Sequence, residues 1–174
     1  NIDTSHSEVI GLFDKYNSTN DNPIVLRFSE NEGRLTFRIK PTNNGSTNDW
    51  EYVYSVRENW DSNTWYDIAL NWGAGSMKLY VNGVLEGTNP TNVKPSNGSN
   101  NFILGANYTW IGNNIGRAFE GTIENFEIWD KALTQSEIQN NMSCPPTGNE
   151  AGLVGYWNFN EGSGNTVTDL TSNG

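Results

Sequence analysis

Along most of this chain apolar and polar residues alternate with the two-residue period of strands. In RLTFRIK (34–40), Leu35, Phe37 and Ile39 share one face, and Arg34, Thr36 and Arg38 the other. In WEYVYSVR (50–57), Trp50, Tyr52, Tyr54 and Val56 share a face. Further strands are expected in EVIGLFDKY (8–16), PIVLRFS (23–29), TWYDIALNW (64–72), NFILGA (101–106), GTIENFEIWD (121–130) and LVGYWNF (153–159). SMKLYVNGVLEGT (76–88) adds a hairpin. Its Asn82-Gly83 pair suits the two positive φ angles of a type I′ turn.

One helix is expected, in LTQSEIQNNM (133–142). Thr134 and Glu137 have capping-box spacing, and Leu133 is placed to act as a staple on Ile138. SCPPTGNEA (143–151) then reads as a linker, because Pro145 and Pro146 cannot continue a helix.

Composition narrows the class. Aromatics make up 12% of the 174 residues, which argues for a packed core, and 18 Gly with frequent Asn suit many tight turns. The net charge is −10, which argues against nucleic acid or an anionic membrane as a partner. No apolar run reaches the length needed for membrane insertion. Cys144 is the single cysteine, so no disulfide closes within the chain.

Two segments carry a family resemblance. TWYDIALNWGAGSMKLYVNGVLEGT resembles the central strand–hairpin segment of laminin-G-like domains in the concanavalin A-like lectin/glucanase superfamily. FEGTIENFEIWDKALTQSEIQ resembles their closing signature. The resemblance implies an all-β jelly-roll sandwich of two antiparallel sheets with one short helix. It also frames the chain's organisation. Residues 1–142 read as one such domain lacking its opening strands, and 143–151 as the linker. GLVGYWNFNEGSGNT and the residues after it (152–174) read as the opening strand of a following copy, or as a permuted strand that completes the sandwich. The chain thus reads as a window on a tandem array, with neighbouring repeats as partners. Repeats with a similar SCPPTGNE linker imply a pairing of Cys144 with a cysteine beyond the next copy.

Glucanases of this fold use neighbouring carboxylates on one strand. The nearest candidates are Glu120, Glu124 and Glu127. Glu124 and Glu127 are three residues apart and would face opposite sides of a regular strand, which argues against catalysis. The lone His6 and Cys144 do not make a nucleophilic triad. The resemblance implies a structural calcium at Glu124 and Asn125, although Asn at 125 brings less charge than the family's acidic residue; a solvated strand edge is the alternative.

Sugar binding needs aromatic rings that lie against sugar faces. Trp65, Trp72, Tyr80 and Trp129 fall where the resemblance implies buried rings, and Trp157 belongs to the opening strand. Trp50, Tyr52, Trp60, Tyr108 and Trp110 are surplus to that core. Trp50, Trp60, Tyr108 and Trp110 are therefore the candidate carbohydrate-binding residues. The alternatives are that they cap the sandwich ends, or that the Trp50–Tyr54 stripe lines the interface between the sheets. The expected function is a secreted or cell-surface, non-catalytic module that binds a glycan or polysaccharide or mediates adhesion. A ligand-free spacer of an adhesin and an ancillary domain of a polysaccharide-degrading enzyme compete with it.

Overall fold

The computed structural model describes residues 10–15, 24–29, 33–41, 50–95, 102–108, 115–116 and 118–173. The chain divides into two compact units, Asn1–Gly121 and Thr122–Gly174. The strands pair antiparallel throughout.

In the first unit β1 (Ile10–Lys15), β2 (Ile24–Ser29), β3 (Arg34–Ile39) and β4 (Glu51–Tyr54) appear in chain order. They join β8 (Phe102–Leu104) in a five-stranded sheet ordered β4-β3-β2-β1-β8. A second sheet holds β5 (Ile68–Asn71), β6 (Met77–Val81) and β7 (Val84–Asn89). Two short strands absent from the expected pattern, β9 (Asn107–Tyr108) and β10 (Ile115–Gly116), pair with each other.

The expected hairpin forms, with positive φ at both Asn82 (49°) and Gly83 (69°). Asn82 also ties the turn to the approach to β5. Its backbone N–H donates to the Asp67 carbonyl at 2.8 Å, and its side-chain oxygen accepts from the Asp67 N–H at 2.9 Å.

The alternation in β3 is realised. Leu35, Phe37 and Ile39 are fully buried and stand in register with Phe28, Leu26 and Ile24 of β2, all buried. Phe37 meets Trp72, at the end of β5, with ring centroids 5.9 Å apart. Met77, Leu79 and Val81 of β6 are buried as well. Burying side chains of this size contributes about 1.5–3 kcal/mol each.

The edge of β4 is covered in an irregular way. β7 lies beside it, but side chains replace ladder bonds. The Asn89 amide donates to the Glu51 carboxylate (2.8 Å) and to the Tyr52 carbonyl (3.1 Å). The Arg57 backbone N–H donates to the Glu86 carboxylate at 2.8 Å. Between them, a Cβ on Gly87 would stand 2.3 Å from the Tyr54 carbonyl oxygen, so only glycine permits this approach.

The second unit holds β11 (Phe126–Trp129), α1 (Gln135–Ser143) and β12 (Leu153–Trp157). The capping box is complete: Glu137 N–H donates to the Thr134 hydroxyl, and Thr134 N–H donates to the Glu137 carboxylate. Ile138 is the helix residue that is buried. β12 pairs with β11, Phe126 opposite Trp157 and Trp129 opposite Leu153. The rings of Phe126 and Trp157 lie 5.8 Å apart.

The residues between α1 and β12, expected as a linker, form a hydrogen-bonded turn. Glu150 accepts from the Thr147 N–H and hydroxyl (both 2.8 Å) and from the Gly148 N–H (3.0 Å). Past β12 the chain folds back on it. Asp169 accepts from the Tyr156 N–H at 3.1 Å and the Thr171 N–H at 2.9 Å, and Leu170 N–H donates to the Tyr156 carbonyl. Cys144, the C-cap of α1, is an exposed free thiol.

Two outcomes are expected from this fold. Gly87→Ala should cost roughly 1–3 kcal/mol in chemical denaturation, since backbone and not a flexible side chain blocks the added methyl. Wild-type stability would show that β4 and β7 do not approach this closely.

The second outcome concerns acid. The Thr147 backbone N–H above all holds the Glu150 carboxyl at about 2, and the Thr134 backbone N–H holds Glu137 at about 2, both below the ordinary 4.5. A carboxylate with a depressed folded-state pKa stabilises above its unfolded value and loses that contribution as pH falls through the folded one. Stability should therefore decline between pH 4.5 and about 2, and Glu150→Gln should flatten the decline in a pH series of melting curves.

Candidate functional site

The face of the five-stranded sheet opposite the core is the most distinctive surface of the first unit. On β4 the inward positions are small: Val53 is 2% exposed, and Ser55, just past the strand, is 1% exposed. Ser55 extends the pairing with β3. Its N–H donates to the Leu35 carbonyl, its hydroxyl accepts from the Leu35 N–H at 3.0 Å, and the same hydroxyl donates to the Arg57 carbonyl at 2.7 Å.

That register turns Tyr52, Tyr54 and Val56 outward, and Tyr54 is 44% exposed. The stripe therefore does not line the interface between the sheets. That alternative fails because alternation gives two faces and does not say which one is inside; the smaller Val53–Ser55 face is the inner one. The rings of Tyr52 and Tyr54 are parallel within 6°, with centroids 6.0 Å apart.

Antiparallel register adds cations to this face. Tyr52 is opposite Arg38 and Tyr54 opposite Thr36, while Thr36 is in turn opposite Arg27. The Arg38 guanidinium lies over the Trp50 ring, 4.2 Å from its centroid. Arg27, Arg38, Trp50 and Tyr52 are half-buried. Thr36 is buried, and its hydroxyl has no hydrogen-bond partner among the described residues. Arg34, at the end of the row, pairs with Glu58, its Nε donating at 3.0 Å.

Trp60 belongs elsewhere. Its indole N–H donates to the Gly33 carbonyl at 2.7 Å. Its ring stands edge-on to Phe28 (5.2 Å) and to Tyr66 (4.8 Å), and Arg57 approaches both Trp60 and Tyr66. Phe28 is a core residue, so Trp60 closes the end of the core, as the capping alternative expects. Trp50 and Trp60 are thus not brought together on one face. Trp110 lies outside the described residues, as does the side chain of Tyr108, whose backbone pairs with Ile115.

Trp65, expected in the core, is 61% exposed. Its neighbour Tyr66 takes the inward position against Trp60, and adjacent residues of an extended segment point to opposite sides. Tyr80 is buried as expected. Beside Tyr54, the exposed Val56, Val84 and Leu85 border a shallow groove of 490 Å³ that Arg57, Glu58, Asn59 and Glu86 complete.

In the second unit, β11 begins at Phe126, and Asn125 has a left-handed backbone (φ 54°). Glu124 therefore precedes the strand, and regular alternation does not relate it to Glu127. Glu127 accepts from the Trp129 indole at 3.0 Å and from the Asn141 amide at 3.4 Å. The Asn125 side-chain oxygen accepts from the Tyr156 hydroxyl at 3.0 Å. Burial first, and then the charges of Glu127, Glu150 and Glu124, push the Tyr156 hydroxyl above its usual pKa of 10.0. Among the described residues, no three of His, Cys, Asp and Glu come together as a metal cluster. Glu124 and Asn125 offer two side-chain donors where calcium takes six to eight oxygens, so backbone carbonyls and water would have to supply the rest.

Sequence reasoning singled out Trp50 on this face but passed over Tyr54 and Arg38. The available signal was the charged Arg34–Thr36–Arg38 side of the neighbouring strand. A tyrosine stripe facing the same way as those arginines cannot face an apolar core.

Comparison with known proteins follows this geometry. No curated protein matches the chain. Among solved structures, one similar chain is a "putative carbohydrate binding protein" from Bacteroides ovatus, with 19% identity and a TM-score of 0.66. The alignment covers 92% of this chain and 44% of that one, so this chain spans less than half of that relative's length. Another is an S-layer domain-containing protein from Clostridium thermocellum, with 21% identity, a TM-score of 0.38, and coverage of 78% and 64%. A family model matches residues 1–139. With that match over antiparallel sheets of this kind, the chain belongs to the concanavalin A-like lectin/glucanases superfamily.

Proposed function

We propose that the chain is a non-catalytic module that binds a glycan or polysaccharide, outside the cell or at its surface, in a binding or adhesion role. The observation that carries this reading is the outward stripe of Trp50, Tyr52 and Tyr54, with two parallel tyrosine rings and Tyr54 open to solvent. Aromatic faces bind the C–H faces of sugars, and the flanking guanidinium donors suit sugar oxygens. Family membership and the fold shared with the Bacteroides ovatus protein support the reading. Among the described residues no helix is long and apolar enough to cross a membrane. The reading assigns Glu127 a structural part, holding the Trp129 indole and the Asn141 amide.

A glycan array followed by calorimetry on the best ligand tests the proposal. Tyr54→Ala and Trp50→Ala should each weaken binding by about 1–3 kcal/mol, as for other bases and rings that stack on aromatic side chains. Trp60→Phe should instead lower the melting temperature, because it loses the bond to Gly33 and leaves the outer face intact. Full affinity in both outer-face variants would remove this face from the reading, and an array with no ligand would leave the chain a spacer.

Calcium enters the reading as a structural ion at Glu124 and Asn125, its sphere completed by carbonyls and water. Chelation should then lower the melting temperature, and calcium should restore it. A melting temperature unchanged after complete metal removal takes the ion out of the reading.

A further inference from the structure

We propose that the groove of Val56, Arg57, Val84, Leu85 and Glu86 takes the acetyl group of an acetylated sugar, either an acetamido sugar or an O-acetylated one. The proposal rests on the carbohydrate-binding reading and specifies the class of sugar. The groove continues the aromatic stripe. Val56 follows Tyr54 along the outward side and is 73% exposed. Gly87 approaches the Tyr54 carbonyl, and Glu86 accepts from the Arg57 N–H. The seam between β4 and β7 therefore sets Val84 and Leu85 across from Val56, with the groove between them. Its 490 Å³ falls within the usual range of small-molecule sites.

One wall of the groove is apolar and the other polar. Val56, Val84 and Leu85 are all exposed. Aliphatic side chains gathered inside a charged rim are the mark of a ligand surface. The polar wall is Arg57 and Glu86. The Arg57 guanidinium lies against the rings of Trp60 and Tyr66, 5.7 and 5.4 Å from their centroids. Its Nε is 3.9 Å from Glu86 Oε1, which is ion-pair range but beyond a hydrogen bond. That Nε is buried and has no hydrogen-bond partner among the described residues. Glu86 spends its other oxygen on the Arg57 backbone N–H. A donor and an acceptor thus stand side by side without satisfying each other.

The chemistry then selects the ligand. Arg57 and Glu86 neutralise each other, so an anion gains little here. The pair suits a neutral ligand that offers an acceptor next to a donor. An acetyl carbonyl accepts from the guanidinium, and a neighbouring ring hydroxyl donates to the carboxylate. The acetyl methyl then reaches the aliphatic wall, where burying it is favourable. An unsubstituted sugar supplies the hydroxyl but no methyl, and a 6-deoxy sugar supplies a methyl with no carbonyl. The acetyl group brings both, while the tyrosine rings beside the groove take the next sugar of the chain.

The test is affinity electrophoresis of the full chain through gels holding two matched pairs of neutral polymers. Glycol chitin is paired with hydroxyethyl cellulose, and acetylated glucomannan with the same polymer deacetylated in alkali. Retention by glycol chitin points to acetamido sugars, and retention by acetylated glucomannan to O-acetyl esters. Either one supports the proposal if its unacetylated counterpart binds about tenfold or more weakly, the worth of a buried methyl and one or two hydrogen bonds. Val56→Asp and Leu85→Asp should each reduce binding of the acetylated polymer to that of its counterpart. Lys131→Gln, in the second unit, should bind as wild type.

If the groove variants do not fold, free N-acetylglucosamine should release the wild-type chain from the acetylated polymer at concentrations where glucose does not. Equal retention by both members of each pair, with Tyr54→Ala abolishing it, overturns the acetyl proposal and leaves carbohydrate binding standing. A preference for acetylated polymer that survives in both groove variants also overturns it, by placing the acetyl group elsewhere. No retention by any of the four polymers overturns it too, while a ligand found on the glycan array keeps the carbohydrate reading.

Discussion

The outer face of the first unit depends on the seam between β4 and β7. An edge strand exposes unpaired backbone groups and needs cover. Here the cover comes from a strand of the other sheet, held by Asn89, Glu51 and Glu86 and brought close by the absence of a side chain at Gly87. Because β7 closes on the Val53–Ser55 side, the other side of β4 is committed to solvent. The aromatic stripe is outward as a consequence of how the sandwich closes its edge.

The same logic separates the aromatics into two groups with different work. Trp60, Tyr66 and Phe28 meet edge-on at the end of the core and carry a part-buried indole bond to Gly33. Trp50, Tyr52 and Tyr54 are bound to no such enclosure and share their side with arginines. Aromatic content alone cannot sort one group from the other; the sorting follows from which neighbours each strand acquires.

Local chemistry was the readable part of the sequence. Asn82-Gly83 and the Thr134–Glu137 box each form as expected, because their partners lie within a few residues. What depends on distant pairing was harder to read. Which side of β4 faces inward was left open, and Trp65 was exchanged with Tyr66. The strand argument at Glu124 failed on the left-handed backbone of Asn125, which asparagine tolerates and no periodicity announces. β9 and β10, two residues each, are too short for any period to register. The site followed the same division: its ring content was legible, and its arginine flank required the register between β2, β3 and β4.

The β11–β12 pair has a mechanical side. Phe126 and Trp157 sit together at one end of the ladder, so tension applied before β11 and after β12 pulls on that end alone. The ladder then opens like a zipper, one bonded pair at a time, where a sheared pair would load all its bonds at once. Phe126 against Trp157 is the first contact to bear the load. Ahead of it stand the folds that bind the following segment to β12 at Asp169 and Leu170. In a chain under traction this unit would yield gradually, paying out length through α1 and the Glu150 turn.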